Sequence, residues 1–182
     1  MLVEIGLRLP KEAHLERSYA LEGDLLFALA DDKRKIYGFD FTPPPFQHKV
    51  VGLLSERHEW VEIGNCLRFT LTSPRSAADL LLAVNWIDMM VFIIDSRSVA
   101  EIGIPKRIRR WLLFSDPFAW FERNIRQWDI VCFVGTHPYR GIDIKTSVLT
   151  FSGLWKLIEP VLVRHQLVVS KSTLGFSKLS SA

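Results

Sequence analysis

Residues 128–148, WDIVCFVGTHPYRGIDIKTSV, decide how the rest of the chain is read. Ile130–Val134 is an apolar run of strand length. Gly135–Gly141 holds His137, Pro138, Tyr139 and Arg140 in a stretch of turn character, and Ile142–Val148 resumes a strand-like pattern. The reading is a β-hairpin. Alternation along its second strand sends Ile142 and Ile144 into one layer and puts Asp143 and Lys145 together on the other face, roughly 6 to 7 Å apart. Asp129 heads the first strand, and the hairpin is expected to bring it near Asp143. Two carboxylates and one ammonium would then meet at one end of a sheet.

Metal-assisted phosphodiester hydrolysis needs such a set. Two carboxylates hold a hard cation such as Mg²⁺ (or Mn²⁺) that keeps some of its waters, the cation polarises the phosphoryl oxygen, and a lysine orients the attacking water or stabilises developing charge. The segment resembles the PD-(D/E)xK nuclease superfamily over residues 74–172. In that family an Asp opens one strand and a D/E-x-K triplet lies on the next. The resemblance implies a restriction-endonuclease-like core, Asp129 and Asp143 as metal ligands, and Lys145 as the water-positioning residue. Trp128 stands where the family often has Pro, and a second acid-x-Lys at Asp31 and Lys33 lies in the charged turn ADDKRK. The family's first-helix acid has two candidates, Asp79 and Glu122.

Composition bounds the alternatives. With 182 residues, 48% hydrophobic and 24% charged, the chain can bury a core. Cys66 and Cys132 both fall in apolar runs and read as buried thiols, which suits a reducing compartment, and no Cys/His cluster has zinc spacing. The N-terminus lacks a basic stretch followed by a long apolar one, and Leu80–Ile94 is broken by Asn85 and Asp88; the expectation is a cytoplasmic chain with no membrane span. Charge is uneven. Residues 1–95 hold 10 Lys/Arg against 14 Asp/Glu, net −4, and residues 96–182 hold 13 against 6, net +7. The half with the candidate site is the basic one, which favours a phosphate-backbone ligand, with Lys106, Arg107, Arg109, Arg110 and Arg140 as expected nucleic-acid contacts.

Around the hairpin, residues 2–9 alternate as a strand. Residues 18–29 and 36–41 read as two more strands, and 42–45, Thr-Pro-Pro-Pro, as a rigid connection. Residues 46–60 are compatible with a helix and contain His48 and His58, read as exposed histidines. Residues 60–71 read as a strand. Pro74 and Ser76 open a helix over 74–86, 88–95 is a buried strand ending at Asp95, which reads as a loop cap, and 152–165 is a helix interrupted by Pro160. Residues 166–171 read as a last strand. Phe118, Trp120, Phe121, Ile125 and Trp128 form an aromatic-rich face at helical spacing and read as core.

The expected architecture is therefore α/β (α+β): a mixed central sheet flanked by helices, with a β-rich region over 1–72 and an αβββαβ core over 73–182 that carries a helical insertion at 96–127. The expected function is nuclease-like phosphodiester hydrolysis. A second reading is a non-catalytic protein-interaction domain of the adaptor or immunity type whose aromatic-rich helices bind a protein partner, resting on six tryptophans and the absence of any stronger motif. A third, a nucleotide-binding α/β domain, lacks any phosphate loop of the G-x-x-x-x-G-K-[ST] type.

Overall fold

The computed structural model describes residues 1–8, 15–42, 44–63, 66–84, 89–98, 117–135, 141–167 and 174–175. They build one sheet with helices on both faces. The strands are β1 (Val3–Arg8), β2 (Lys35–Asp40), β3 (Trp60–Ile63), β4 (Cys66–Leu71), β5 (Met89–Asp95), β6 (Ile130–Gly135), β7 (Gly141–Thr146) and the two-residue β8 (Leu174–Gly175). Their spatial order is β3-β4-β2-β5-β6-β7-β1-β8, and every pairing is antiparallel. The expected mixed sheet is thus corrected to an antiparallel one. The strands of residues 1–72 also form no sheet of their own: β1 lies between β7 and β8, and β2 joins β4 to β5.

The helices are α1 (Leu15–Ala30), α2 (Pro44–Arg57), α3 (Pro74–Ala83), α4 (Pro117–Arg123), followed by a 3-10 turn at Ile125–Gln127, and α5 (Phe151–Arg164). Helix α1 overturns the strand expected at 18–29. Its buried positions 18, 19, 22, 25, 26, 29 and 30 recur every three to four residues, and Leu, Ala and Glu are good helix formers. It stops where Asp31 and Asp32 take positive φ, 50° and 52°. Gly23 lets α1 press on the start of α3, since a Cβ there would lie 2.6 Å from the Pro74 carbonyl oxygen. Ser73 caps α3, trading hydrogen bonds with Ser76, and Pro160 sits inside α5 without ending it. After α5, Gln166 turns at φ 56°, and residues 168–171 of the expected last strand lie outside the described residues.

Strand alternation divides the core into two layers. On one face Ile5, Phe69, Phe92, Cys132 and Ile144 pack against α1, α2, α3 and α5. On the other, Tyr37, Phe39, Val91, Ile93, Val131 and Phe133 pack against Phe121, Ile125 and Trp128. The aromatics of 118–128 are core, as their spacing implied. Phe121 makes tilted or edge contacts with Phe39, Phe41, Trp120 and Trp128 at centroid distances of 5.1 to 5.7 Å. Both cysteines are buried free thiols, and burial pushes both upward in pKa. Among the described residues no helix is long and apolar enough to cross a membrane.

Candidate functional site

Strands β6 and β7 form the expected hairpin, with Cys132 opposite Ile144 and Phe133 opposite Asp143. Asp143 and Lys145 do share a face. It is the α4 face, because Ile142 and Ile144 belong to the opposite layer. Asp129 falls on this face too, but the register separates it. Ile130 pairs with Thr146, so Asp129 stands beyond the end of the ladder, four positions from the level of Asp143, roughly 13 Å along the strands. The structure therefore brings Asp143 beside Lys145 and leaves Asp129 apart, which corrects the expected pairing of Asp129 with Asp143 around one cation.

Each of the three is engaged by different partners. Asp143 receives a forked pair from Arg8 on β1, with Nη1 to Oδ1 at 2.7 Å and Nη2 to Oδ2 at 3.1 Å. Lys145 lies over the Phe133 ring and donates to Glu122 of α4 at 3.0 Å, with Glu4 of β1 at 3.4 Å. Burial alone would lower its pKa; the two glutamates outweigh that and hold it above the usual lysine range. It is an anchored ammonium. Glu122 is thus separated from Asp79, the other candidate first-helix acid, which lies on α3 across the sheet in a cleft with His58. His48 is exposed on α2, and His58 Nδ1 lies 3.4 Å from the Thr70 carbonyl oxygen.

Asp129 belongs to a second carboxylate site at the end of β5. Its Oδ2 accepts from Arg34 Nε at 3.0 Å and from the Ser96 amide at 3.2 Å, and its own amide donates to Asp95 Oδ2 at 3.2 Å. Asp95 is fully buried. Its Oδ1 accepts from the Arg97 amide and Nε, both at 2.9 Å, and its Oδ2 accepts from Arg97 Nη2 at 2.8 Å. Arg97 Nη2 also donates to the Gln127 carbonyl. Thr146 Oγ1 donates to the Asp129 carbonyl at 2.7 Å and accepts from the amides of Val148 and Leu149, tying the end of β7 to the start of β6. Asp95 is therefore a loop cap, as its position suggested. The Asp95–Asp129 juxtaposition was not expected, although an acid closing an apolar strand was its visible signal.

No family model matches the chain, and neither does any curated protein or solved structure. The site must be judged on its own chemistry. Among the described residues no group of three or more His, Cys, Asp or Glu side chains is placed to hold a metal ion. The expected nucleic-acid contacts Lys106, Arg107, Arg109, Arg110 and Arg140 lie outside the described residues.

Asp95 provides a pH test. Burial pushes its carboxyl up, but the Arg97 side chain and the amides of Arg97 and Asp129 outweigh that and hold it below the ordinary value. A depressed carboxyl contributes stability that is fully present above the unfolded-state pKa of about 3.9 and is lost as pH falls through the folded-state value. Asp95→Asn should thus lower stability by about 2 kcal/mol at neutral pH, read from urea midpoints, with the gap to wild type closing below pH about 4. Taking the difference removes the opposing contribution of Asp40, whose carboxyl is raised by burial despite its hydrogen bonds from Thr42.

Proposed function

We propose that this chain is a non-catalytic protein-interaction domain of the adaptor or immunity type. What supports the reading is that Asp129, Asp143 and Lys145 are closed into three separate sets of ion pairs. A carboxylate already gripped by a guanidinium fork offers a hard cation nothing until the fork is displaced, and a lysine held between two glutamates is a poor proton acceptor. These pairs join elements that adjoin only in the fold: β1 to β7, α4 to β7, and the turn after α1 to the start of β6. Their role in this reading is to fix the scaffold. Phe121 and Trp128 are spent on the core, and Phe118 and Trp120 are half-buried against it, so this reading places the interaction surface elsewhere.

Pure protein incubated with plasmid DNA or RNA and Mg²⁺ or Mn²⁺ should cleave neither, and calorimetry with either ion should register no binding heat. Metal-dependent cleavage that disappears in both Asp143→Ala and Lys145→Ala would overturn the proposal.

One observation favours a second reading. The contact of Lys145 with Glu122 places a helix-borne acid on the lysine of the D-x-K triplet, which leaves a reduced nuclease-like set of Glu122, Asp143 and Lys145 without Asp129. Such a site would take Mg²⁺ between Glu122 and Asp143 only after Arg8 withdraws. The same cleavage assay discriminates the two readings.

A further inference from the structure

The sheet ends at β3, and among the described residues no strand pairs with its outer side. The Thr70 amide donates to the Glu59 carbonyl at 3.0 Å, which sets the alternation of the edge. Residues 59 and 61 turn their backbone groups toward β4, so the amide and carbonyl of Trp60 and Glu62 point outward. The charged side chains of β3 and of the residue before it are acidic, with Arg68 of β4 across from Val61. Glu56, Glu59 and Glu62 are exposed and make no ion pair among the described residues, whereas Glu4, Glu122, Asp129 and Asp143 are all paired. Between them Val61 is 43% exposed. Next to the edge, α2 and α3 leave a cleft of about 480 Å³ with Leu53, Leu80 and Leu82 as its apolar lining and Glu56, Asp79 and Arg75 as its charged one.

We propose that the β3 edge and this cleft receive a basic, extended segment of a partner protein, which adds to the sheet as a further antiparallel strand. Its backbone completes the hydrogen bonds of Trp60 and Glu62, and alternate lysine or arginine side chains on the α2–α3 face meet Glu62, while the side chains between them lie along Glu59 and Val61 on the other face. A long aliphatic stem fills the cleft, its charged head reaching Glu56. Charge complementarity selects this occupant over a second copy of the chain, because a second β3 would bring the same exposed acids to the edge and no basic side chain of its own to pair with them. The inference rests on the interaction-domain reading and names its partner class.

The test uses three fluorescein-labelled octapeptides: alternating Lys and Val, alternating Glu and Val, and the Lys–Val peptide N-methylated at alternate backbone nitrogens. Fluorescence anisotropy should give binding of the Lys–Val peptide that is at least about tenfold tighter than that of either other peptide and weakens with salt. Glu59→Lys combined with Glu62→Lys, and separately Glu62→Pro, should each weaken it by about tenfold or more, with Glu62→Gln weaker in effect than Glu62→Pro and Glu159→Lys neutral. Hydrogen exchange at the Trp60 and Glu62 amides should slow on binding. Equal binding of the N-methylated or Glu–Val peptide, unchanged exchange at those amides, or dimerisation lost in Glu62→Pro would each overturn the edge proposal. Failure of all three peptides together with absence of nuclease activity overturns this surface and leaves the interaction reading standing; metal-dependent cleavage removes that reading itself.

Discussion

Phe121→Ala is expected to destabilise the protein by about 3 to 5 kcal/mol, a large part of what a domain of this size has in reserve. The ring is 1% exposed and is the hub of the second layer, touching Phe39 and Phe41 from one side and Trp120 and Trp128 from the other. Truncation loses its transfer free energy and leaves a cavity walled by four aromatic rings. Those rings stand on a central strand and on a short helical segment, so collapse to fill the space is limited. Urea denaturation should show the midpoint falling with little change in slope, while Glu122→Ala one position along, exposed on the same helix, should shift it far less. A loss below about 1 kcal/mol for Phe121→Ala would mean that α4 does not close this face of the sheet.

Gly38→Ala should be nearly as damaging, and for the opposite reason. Gly38 stands opposite Phe69 on β4, and a Cβ added there would lie 2.2 Å from both Cε2 and Cζ of that ring. The ring has nowhere to go: it is 1% exposed, meets Phe92 edge-on at 6.2 Å and has the His58 ring at 6.2 Å. One methyl group on a strand flanked by β4 and β5 therefore forces backbone displacement, with an expected loss of about 3 kcal/mol. The mechanism can be isolated with a double-mutant cycle. Phe69→Ala should be destabilising by itself, yet adding Gly38→Ala to it should produce little further loss, giving a coupling of about 1 to 3 kcal/mol in the urea-derived free energies. Full additivity would rule out the ring as the obstacle.

What could be read from the sequence followed the range of the interactions that fix each feature. The hairpin at 130–146 was legible because Ile142 and Ile144 alternate with Asp143 and Lys145, and period-two alternation is a local property. So were α3, through Pro74, although the residue that caps it is Ser73 rather than Ser76, and β5, through its unbroken apolar run. Register was not legible. Whether Asp129 meets Asp143 or misses it by four positions depends on how residues 135–141 turn, and a strand's periodicity is silent on that. Helix α1 is hidden because SYALEGDLLFAL is dense in apolar residues, and density alone resembles strand character, whereas the spacing of Tyr19, Glu22, Leu25, Leu26 and Leu29 is helical. The partners of Lys145 were out of reach for a different reason. Glu4 comes from a strand at the far end of the sequence, and its place across from Lys145 is set by tertiary packing alone. Arg8 and Arg34, which neutralise the two acids expected to bind metal, are likewise far from them in sequence, by 135 and 95 positions.

The position of β1 governs how the chain must assemble. Val3 faces Thr146 and Arg8 faces Gly141, so β1 has its main neighbour far along the chain. During synthesis β1 waits as a solitary apolar segment while the β2–β6 strands have partners close by in sequence. Pairing of β1 with β7 therefore comes late, and the loop-closure entropy of so long a separation makes that step a slow one. In the interim the charges at Glu4 and Arg8 help to keep such waiting strands from pairing with one another.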